Sequence, residues 1–116
     1  MRRPHRLQDE RSLVIHRLIA ERIREDPGLL AHPRTRVAEW LSTGSTHSFY
    51  ASAWRDLLDG PFDDLLALLV DPGERATALR HVSPFAGIVD MRTRDRIWRE
   101  VRERLEAEER STQAAP

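Results

Sequence analysis

Three dipeptides divide this sequence into short segments and limit the folds that it can adopt. Asp26-Pro27, Gly60-Pro61 and Asp71-Pro72 each follow a segment of apolar residues with helical spacing. Aspartate and glycine suit helix ends and caps, and proline suits the first helical turn, where its missing N–H is no loss. Each dipeptide therefore predicts the end of one helix and the start of the next.

The apolar residues between these breaks recur with the period of an α-helix. They predict a first helix from Asp9 or Ser12 to about Glu25 and a second from Pro27 to about Leu41. Pro33 should kink the second helix or delay its start to about Arg34. Four further helices are predicted from about Ser48 to Leu58, from Phe62 to Val70, from about Gly73 to His81, and from about Met91 to Arg110. No segment alternates strictly, and no Asn-Gly or Asp-Gly hairpin signal is present. We predict an all-α protein, a single-domain bundle of five to six helices with a long amphipathic C-terminal helix.

The ends of the chain predict the limits of this domain. Residues 1–8 are basic and are predicted to be a flexible N-terminus, residues 9–110 form the helical domain, and residues 111–116 are predicted to be a disordered tail. The longest apolar run, Leu65–Val70, is too short for a membrane span, and no apolar run follows the basic start as in a signal peptide. We expect a cytoplasmic protein without a membrane partner.

Composition excludes several classes of function. The 116 residues are enough for one domain, and they contain no cysteine, which excludes disulfides, thiol catalysis and cysteine-based zinc sites. The 19 basic residues, all arginine, balance 19 acidic residues, so the formal net charge is +0. A neutral total argues against general affinity for nucleic acid but leaves room for a local basic patch.

No residue pattern predicts catalysis or metal binding. The five histidines never recur at i, i+4 spacing, and no His-Glu-x-x-His motif is present. His16 lies on an apolar face, which is typical of a hydrogen-bonded core histidine, and His47 beside Ser48 lacks an accompanying oxyanion-hole loop. The five glycines are scattered and form no phosphate-binding loop. We predict a protein that is not an enzyme, with no catalytic residue, cofactor or metal.

The loop before the last helix is the first unusual feature. In Ser83-Pro84-Phe85-Ala86-Gly87, proline restricts Ser83 to extended conformations and Gly87 permits a positive φ. Phe85 between them needs a pocket. It either plugs the protein's own core or projects as an apolar knob into the groove of a partner.

The start of the last helix is the second unusual feature, because Arg92, Arg94 and Arg96 lie where the helix dipole is already positive. These arginines face an acidic partner, a phosphate, or the chain's own acidic segment from Asp56 to Glu74. The predicted partner-binding residues are Ser83, Pro84, Phe85, Arg92, Arg94 and Arg96.

Several short patterns give the chain a resemblance to a known group of proteins. These are Ala-x-x-Leu-Arg-x-x-Ser-Pro-Phe-Ala-Gly from Ala76 to Gly87, Arg96-Ile97-Trp98, His16-Arg17-x-Ile19-Ala20-x-Arg22, Trp40, and Tyr50 with Trp54. With alanine rather than leucine at position 76, the chain resembles small helical proteins of GC-rich bacteria that are encoded in two-gene operons beside a nucleotidyltransferase-like toxin.

This resemblance implies an antitoxin, a non-enzymatic helical domain that binds a cognate toxin and blocks its active site. Arginines at the helix start would pair with the metal-binding carboxylates of the toxin, and Phe85 would anchor the contact. Two alternatives remain. One is a DNA-binding regulator, with operator DNA as its partner, and the other is a structural helical subunit or homodimer, since the sequence does not fix the oligomeric state.

Overall fold

The structure, a computed structural model, describes residues 5–114 and confirms the predicted all-α bundle with its long C-terminal helix. The elements of this part of the chain are α1 (Arg6–Glu25), a 3₁₀ turn (Pro27–Leu30), α2 (Ala31–Thr43), α3 (Ser48–Asp59), α4 (Phe62–Val70), α5 (Glu74–Arg80) and α6 (Met91–Ala114). None of these helices is both long and apolar enough to cross a membrane.

Helix ends fall at the predicted dipeptides, and Asp26 is a side-chain N-cap as predicted, whereas α5 begins at Glu74 with Gly73 rather than Asp71 as its N-cap. The carboxylate of Asp26 accepts a hydrogen bond from the N–H of Gly28 at 3.1 Å, and that of Asp71 accepts one from the N–H of Gly73 at 2.8 Å. Pro33 neither kinks α2 nor delays its start to Arg34. It is the third residue of that helix, where a backbone N–H would have no helical acceptor, so its ring is tolerated there.

Both predicted limits of the helical domain are too narrow. The first helix begins at Arg6 rather than at Asp9 or Ser12, and the last one continues beyond Arg110 to Ala114. The remaining residues of the two predicted flexible ends, 1–4 and 115–116, lie outside the described residues.

Contacts between α1 and α6 explain this extension. Arg6 forms an ion pair with Glu108, and Glu10 forms one with Arg104 at 2.8 Å, so the two helices run antiparallel. Exposed ion pairs contribute little free energy on their own. Here they continue a helix contact that already buries Val101, and each end is therefore held by residues about a hundred positions away in the sequence.

The first helix is the centre of the fold, since α4, α5, α6 and the 3₁₀ turn all pack against it, while α2 packs on α3. α4 is apolar on nearly all sides and was predicted to be central, and its burial confirms this. Large side chains from five different segments are fully buried in the core: Ile23, Trp54, Leu65, Leu69, Leu79 and Phe85.

Replacing one of these core leucines tests the packing around α4. Leu69 is 0% exposed, so Leu69→Ala should leave a cavity and lower the free energy of unfolding by about 2–5 kcal/mol. The neighbouring Val70 is 38% exposed, and Val70→Ala should cost less than about 1 kcal/mol. Urea denaturation followed by circular dichroism measures both, and equal losses would contradict the position of α4 in the core.

Candidate functional site

The loop between α5 and α6 is folded into the core rather than presented to solvent. Phe85 is 1% exposed, and its ring meets that of Trp54 edge-on at 5.6 Å between centroids. Pro84 is buried as well. The prediction that Phe85 projects toward a partner is therefore wrong. A phenyl ring gains more from this fully buried position than it would exposed on the surface, and Phe85 plugs the core instead.

A chain of hydrogen bonds holds the loop against α1. Nδ1 of His16 lies 2.6 Å from the carbonyl oxygen of Ser12, which can only accept, so Nδ1 carries the proton. Nε2 then accepts from the hydroxyl of Ser83 at 2.8 Å, and the same oxygen accepts the N–H of Phe85 at 3.2 Å. Neutral His16 thus has both ring nitrogens bonded. This confirms the prediction that it is a hydrogen-bonded core histidine.

The pairing of Ser83 with His16 also has the form of a nucleophile and a base, which sequence reasoning missed because 67 positions separate them. The environment of His16 does not suit that chemistry. Burial, assisted by electrostatic interactions with Arg80 and His81, lowers the pKa of His16 to about 4. A base this weak withdraws a serine proton poorly at neutral pH.

The last residues of the loop are fixed from two sides. His32 contacts the carbonyl oxygen of Ala86 through Nε2 at 2.9 Å, and Arg22 donates to the carbonyl oxygen of Ile88 at 3.0 Å. Gly87 adopts a φ of 97°, as its position after Phe85 predicts, and this left-handed conformation turns the chain toward α6. The direction in which α6 leaves the core is therefore set by residues of α1 and α2.

The first turn of α6 carries its own cap. The carboxylate of Asp90 accepts the backbone N–H of Thr93 at 3.0 Å and its hydroxyl at 2.7 Å. These hydrogen bonds from Thr93 hold the pKa of Asp90 below its usual range. A negative charge at this position complements the helix dipole and offsets part of the repulsion from the arginines that follow.

The three predicted arginines do not form one patch, because the helix places them on two faces. Arg92 and Arg96 stand one turn apart, and Arg99 continues their line at i+7. We call these three exposed residues the arginine row. Arg94 lies on the other side, with its guanidinium 4.8 Å from the ring centroid of Trp98. The helical period could have predicted both faces from the sequence, yet Arg99 was not among the predicted partner-binding residues.

The arginine row is open to solvent. Within residues 5–114 its only close acidic contact joins Arg96 to Glu100 at 3.8 Å. The alternative in which the acidic segment from Asp56 to Glu74 pairs with these arginines is wrong. α6 packs on α1, and within this segment Asp59 forms its ion pair with Arg34 of α2. Beside the row, Met91 is 75% exposed, and sequence reasoning missed this side chain as well.

Pro84 and Phe85 thus belong to the core and Ser83 is half-buried beside them, whereas Arg92 and Arg96 remain surface residues. In the part of the chain that the structure describes, no three His, Cys, Asp or Glu side chains are grouped so that they could hold a metal ion. Comparison of the chain with protein-family models, with curated proteins and with solved structures finds no match.

Phe85→Ala tests whether the loop is part of the core. Removing a fully buried phenyl ring should lower the free energy of unfolding by about 3–5 kcal/mol in urea denaturation. Phe49 is 64% exposed and provides a matched control, since Phe49→Ala should cost less than about 1 kcal/mol. If the two substitutions cost the same, the core position of Phe85 is wrong.

The buried neutral His16 should make stability depend on pH. Its pKa is about 4 in the folded chain against 6.5 when exposed, so the unfolded chain takes up this proton first as the pH falls. The free energy of unfolding should therefore decrease from about pH 6.5 toward pH 4, by up to about 3 kcal/mol from this residue. His16→Gln should remove that part of the decrease in urea titrations, and identical pH profiles for the two proteins would contradict it.

Proposed function

We propose that this chain is a non-enzymatic protein-interaction module that binds an acidic surface of a protein partner through the arginine row. The observation that carries this proposal is the row itself: three exposed guanidinium groups on one line of a capped helix, with a single acidic contact at 3.8 Å among the described residues. Neighbouring cations repel one another, which raises the electrostatic energy of the unbound chain. A row of carboxylates on a partner would offset this repulsion.

The chemistry of the row suits protein carboxylates. A guanidinium offers parallel N–H donors that match both oxygens of a carboxylate, and such contacts are strong when a partner shields them from water. Met91, exposed at the start of the same helix, supplies an apolar contact of the kind enriched at the centre of protein interfaces. Met91 therefore replaces Phe85 as the proposed anchor.

We further propose that the partner is a cognate nucleotidyltransferase-type toxin, as the resemblance of the sequence implies. Enzymes that transfer nucleotides hold divalent metal ions with carboxylates beside an open substrate groove. Arginines that pair with those carboxylates would exclude the metal and block the groove. An antitoxin that acts in this way needs a rigid basic surface and no catalytic group of its own.

DNA is a weaker candidate for the partner. The formal net charge of the chain is +0, whereas general affinity for the phosphate backbone normally requires a clustered basic excess. Residues 81–90 separate α5 from α6, whereas a helix-turn-helix has a turn of about three or four residues. An exposed methionine also contributes more to a protein contact than to binding of a phosphate backbone.

Co-purification with the product of the neighbouring gene tests the proposal. The parent chain should be recovered in a stoichiometric complex, and combined substitution of Arg92, Arg96 and Arg99 by alanine should weaken that complex at least about tenfold, because buried interface arginines contribute strongly. Alanine favours helix, so the circular dichroism of this variant should match that of the parent.

The matched control removes the same charge elsewhere. Arg17, Arg24 and Arg75 are also exposed, and their combined substitution by alanine should leave the complex intact. Equal weakening by both triple variants would contradict a specific arginine row and indicate a general charge effect. Absence of a complex with the parent chain would refute the toxin as partner.

A further inference from the structure

A groove of about 540 Å³ runs between α1, the loop after α5, and α6. Its volume lies within the range typical of small-molecule sites. The hydrogen-bonded His16 and Ser83 form part of its wall, together with Phe85 of the loop. These side chains are fixed by packing, so the groove is already shaped before anything enters it.

The charges around the groove are positive. Arg11 and Arg94 both line it, with guanidinium carbons 5.7 and 4.8 Å from the ring centroid of Trp98 between them. No Asp or Glu is among the lining residues; Asp9 hydrogen-bonds to one of them, His81. Among residues 5–114, Arg11 donates to the carbonyl oxygen of Trp98 alone, which leaves further N–H donors of its guanidinium for a ligand.

A buried cation adds to this positive character. Arg80 lines the groove and is 3% exposed, yet its guanidinium donates to neutral acceptors only: the carbonyl oxygens of Leu68 and Asp71 and the hydroxyl of Thr77. Burial without a directly paired carboxylate is unfavourable for a charge. Desolvation accordingly lowers the pKa of Arg80.

Two buried polar atoms without a hydrogen-bond partner belong to residues of the groove wall. Among the described residues, Ser12 Oγ and Arg80 Nε are the buried side-chain atoms that have no hydrogen-bond partner in the protein, and both residues line this groove. Buried polar atoms almost always have partners in folded proteins. The wall of the groove therefore contains two polar groups whose hydrogen-bonding capacity is not met by the described residues.

Apolar side chains make up the rest of the groove. Ile15 and Ile19 of α1, Val89 of the loop and the ring of Trp98 line it beside the arginines. Apolar walls with a few convergent polar groups are the usual composition of a site for a small organic molecule. An inorganic anion would leave these walls uncovered, which favours a ligand with both characters.

We propose that this groove is a binding site for a small organic anion that carries one carboxylate or phosphate on an apolar body. The head group accepts hydrogen bonds from Arg94 and Arg11, and the apolar body covers Trp98 and the isoleucines of α1. This site is separate from the arginine row, since Arg94 lies on the opposite side of α6 from Arg92. Its test is therefore independent of the protein partner proposed above.

The test is a titration of the ¹⁵N-labelled full chain, followed by the indole N–H signals of its three tryptophans. The probes are 4-phenylbutyrate, octanoate and phenyl phosphate, with 4-phenylbutyramide as the uncharged match of the first. The signal of Trp98 should shift and saturate. That of Trp54, buried and bonded to the carbonyl oxygen of Leu79, should stay in place. The three acids distinguish a carboxylate head group from a phosphate.

At least one acid should bind at least about tenfold more tightly than the amide, because hydrogen bonds to a charged group are the stronger kind. Arg94→Gln should weaken the binding of that acid by a similar factor. Arg99 is an exposed arginine of the same helix outside the groove, and Arg99→Gln should leave the binding unchanged. The proposal is overturned if no acid produces a saturable shift of Trp98, if amide and acid bind equally, or if the two variants behave alike.

Discussion

The hydrogen bond between Ser83 and neutral His16 joins the last third of the chain to the first helix, and the remaining arrangement depends on it. It fixes the loop at the point where Pro84 and Phe85 enter the core, and the loop in turn determines where α6 begins. A histidine is suited to this position because one ring nitrogen can donate a hydrogen bond while the other accepts one. Buried His16 therefore bonds to the backbone of α1 and to the side chain of Ser83 at the same time.

The geometry of α6 explains why one arginine-rich segment forms two surfaces with different chemistry. Residues two positions apart on a helix point in widely different directions, whereas residues four apart share a face. Arg92 and Arg96 therefore face solvent together, while Arg94 folds back over Trp98 toward α1. The first surface is polar, open to solvent and suited to the acidic surface of a protein. The second is concave, partly apolar and suited to a small ligand.

The sequence was sufficient for features that depend on near neighbours. Capping at Asp26, the ends of α1 and α4 beside Asp26 and Asp71, and the burial of α4 all follow from residues a few positions apart. Features that depend on distant residues could not be predicted in this way. The burial of Phe85 depends on contacts with Trp54 and His16, and the early start of α1 at Arg6 accompanies its packing on α6, where Arg6 pairs with Glu108, 102 positions away. The helical period alone places Arg92 and Arg96 on one face and Arg94 on another, but the sequence analysis treated the three arginines as one group because they are close in sequence.

The position of Phe85 has a mechanical consequence for α6. Phe85 precedes the first residue of that helix by six positions, and its ring is enclosed between α1 and α3. Any large swing of α6 would pull this ring out of the core, at a free-energy cost similar to that of removing it. The long helix therefore behaves as a fixed arm rather than a hinged one. A partner would meet its side chains already in place, and little backbone entropy would be lost on association.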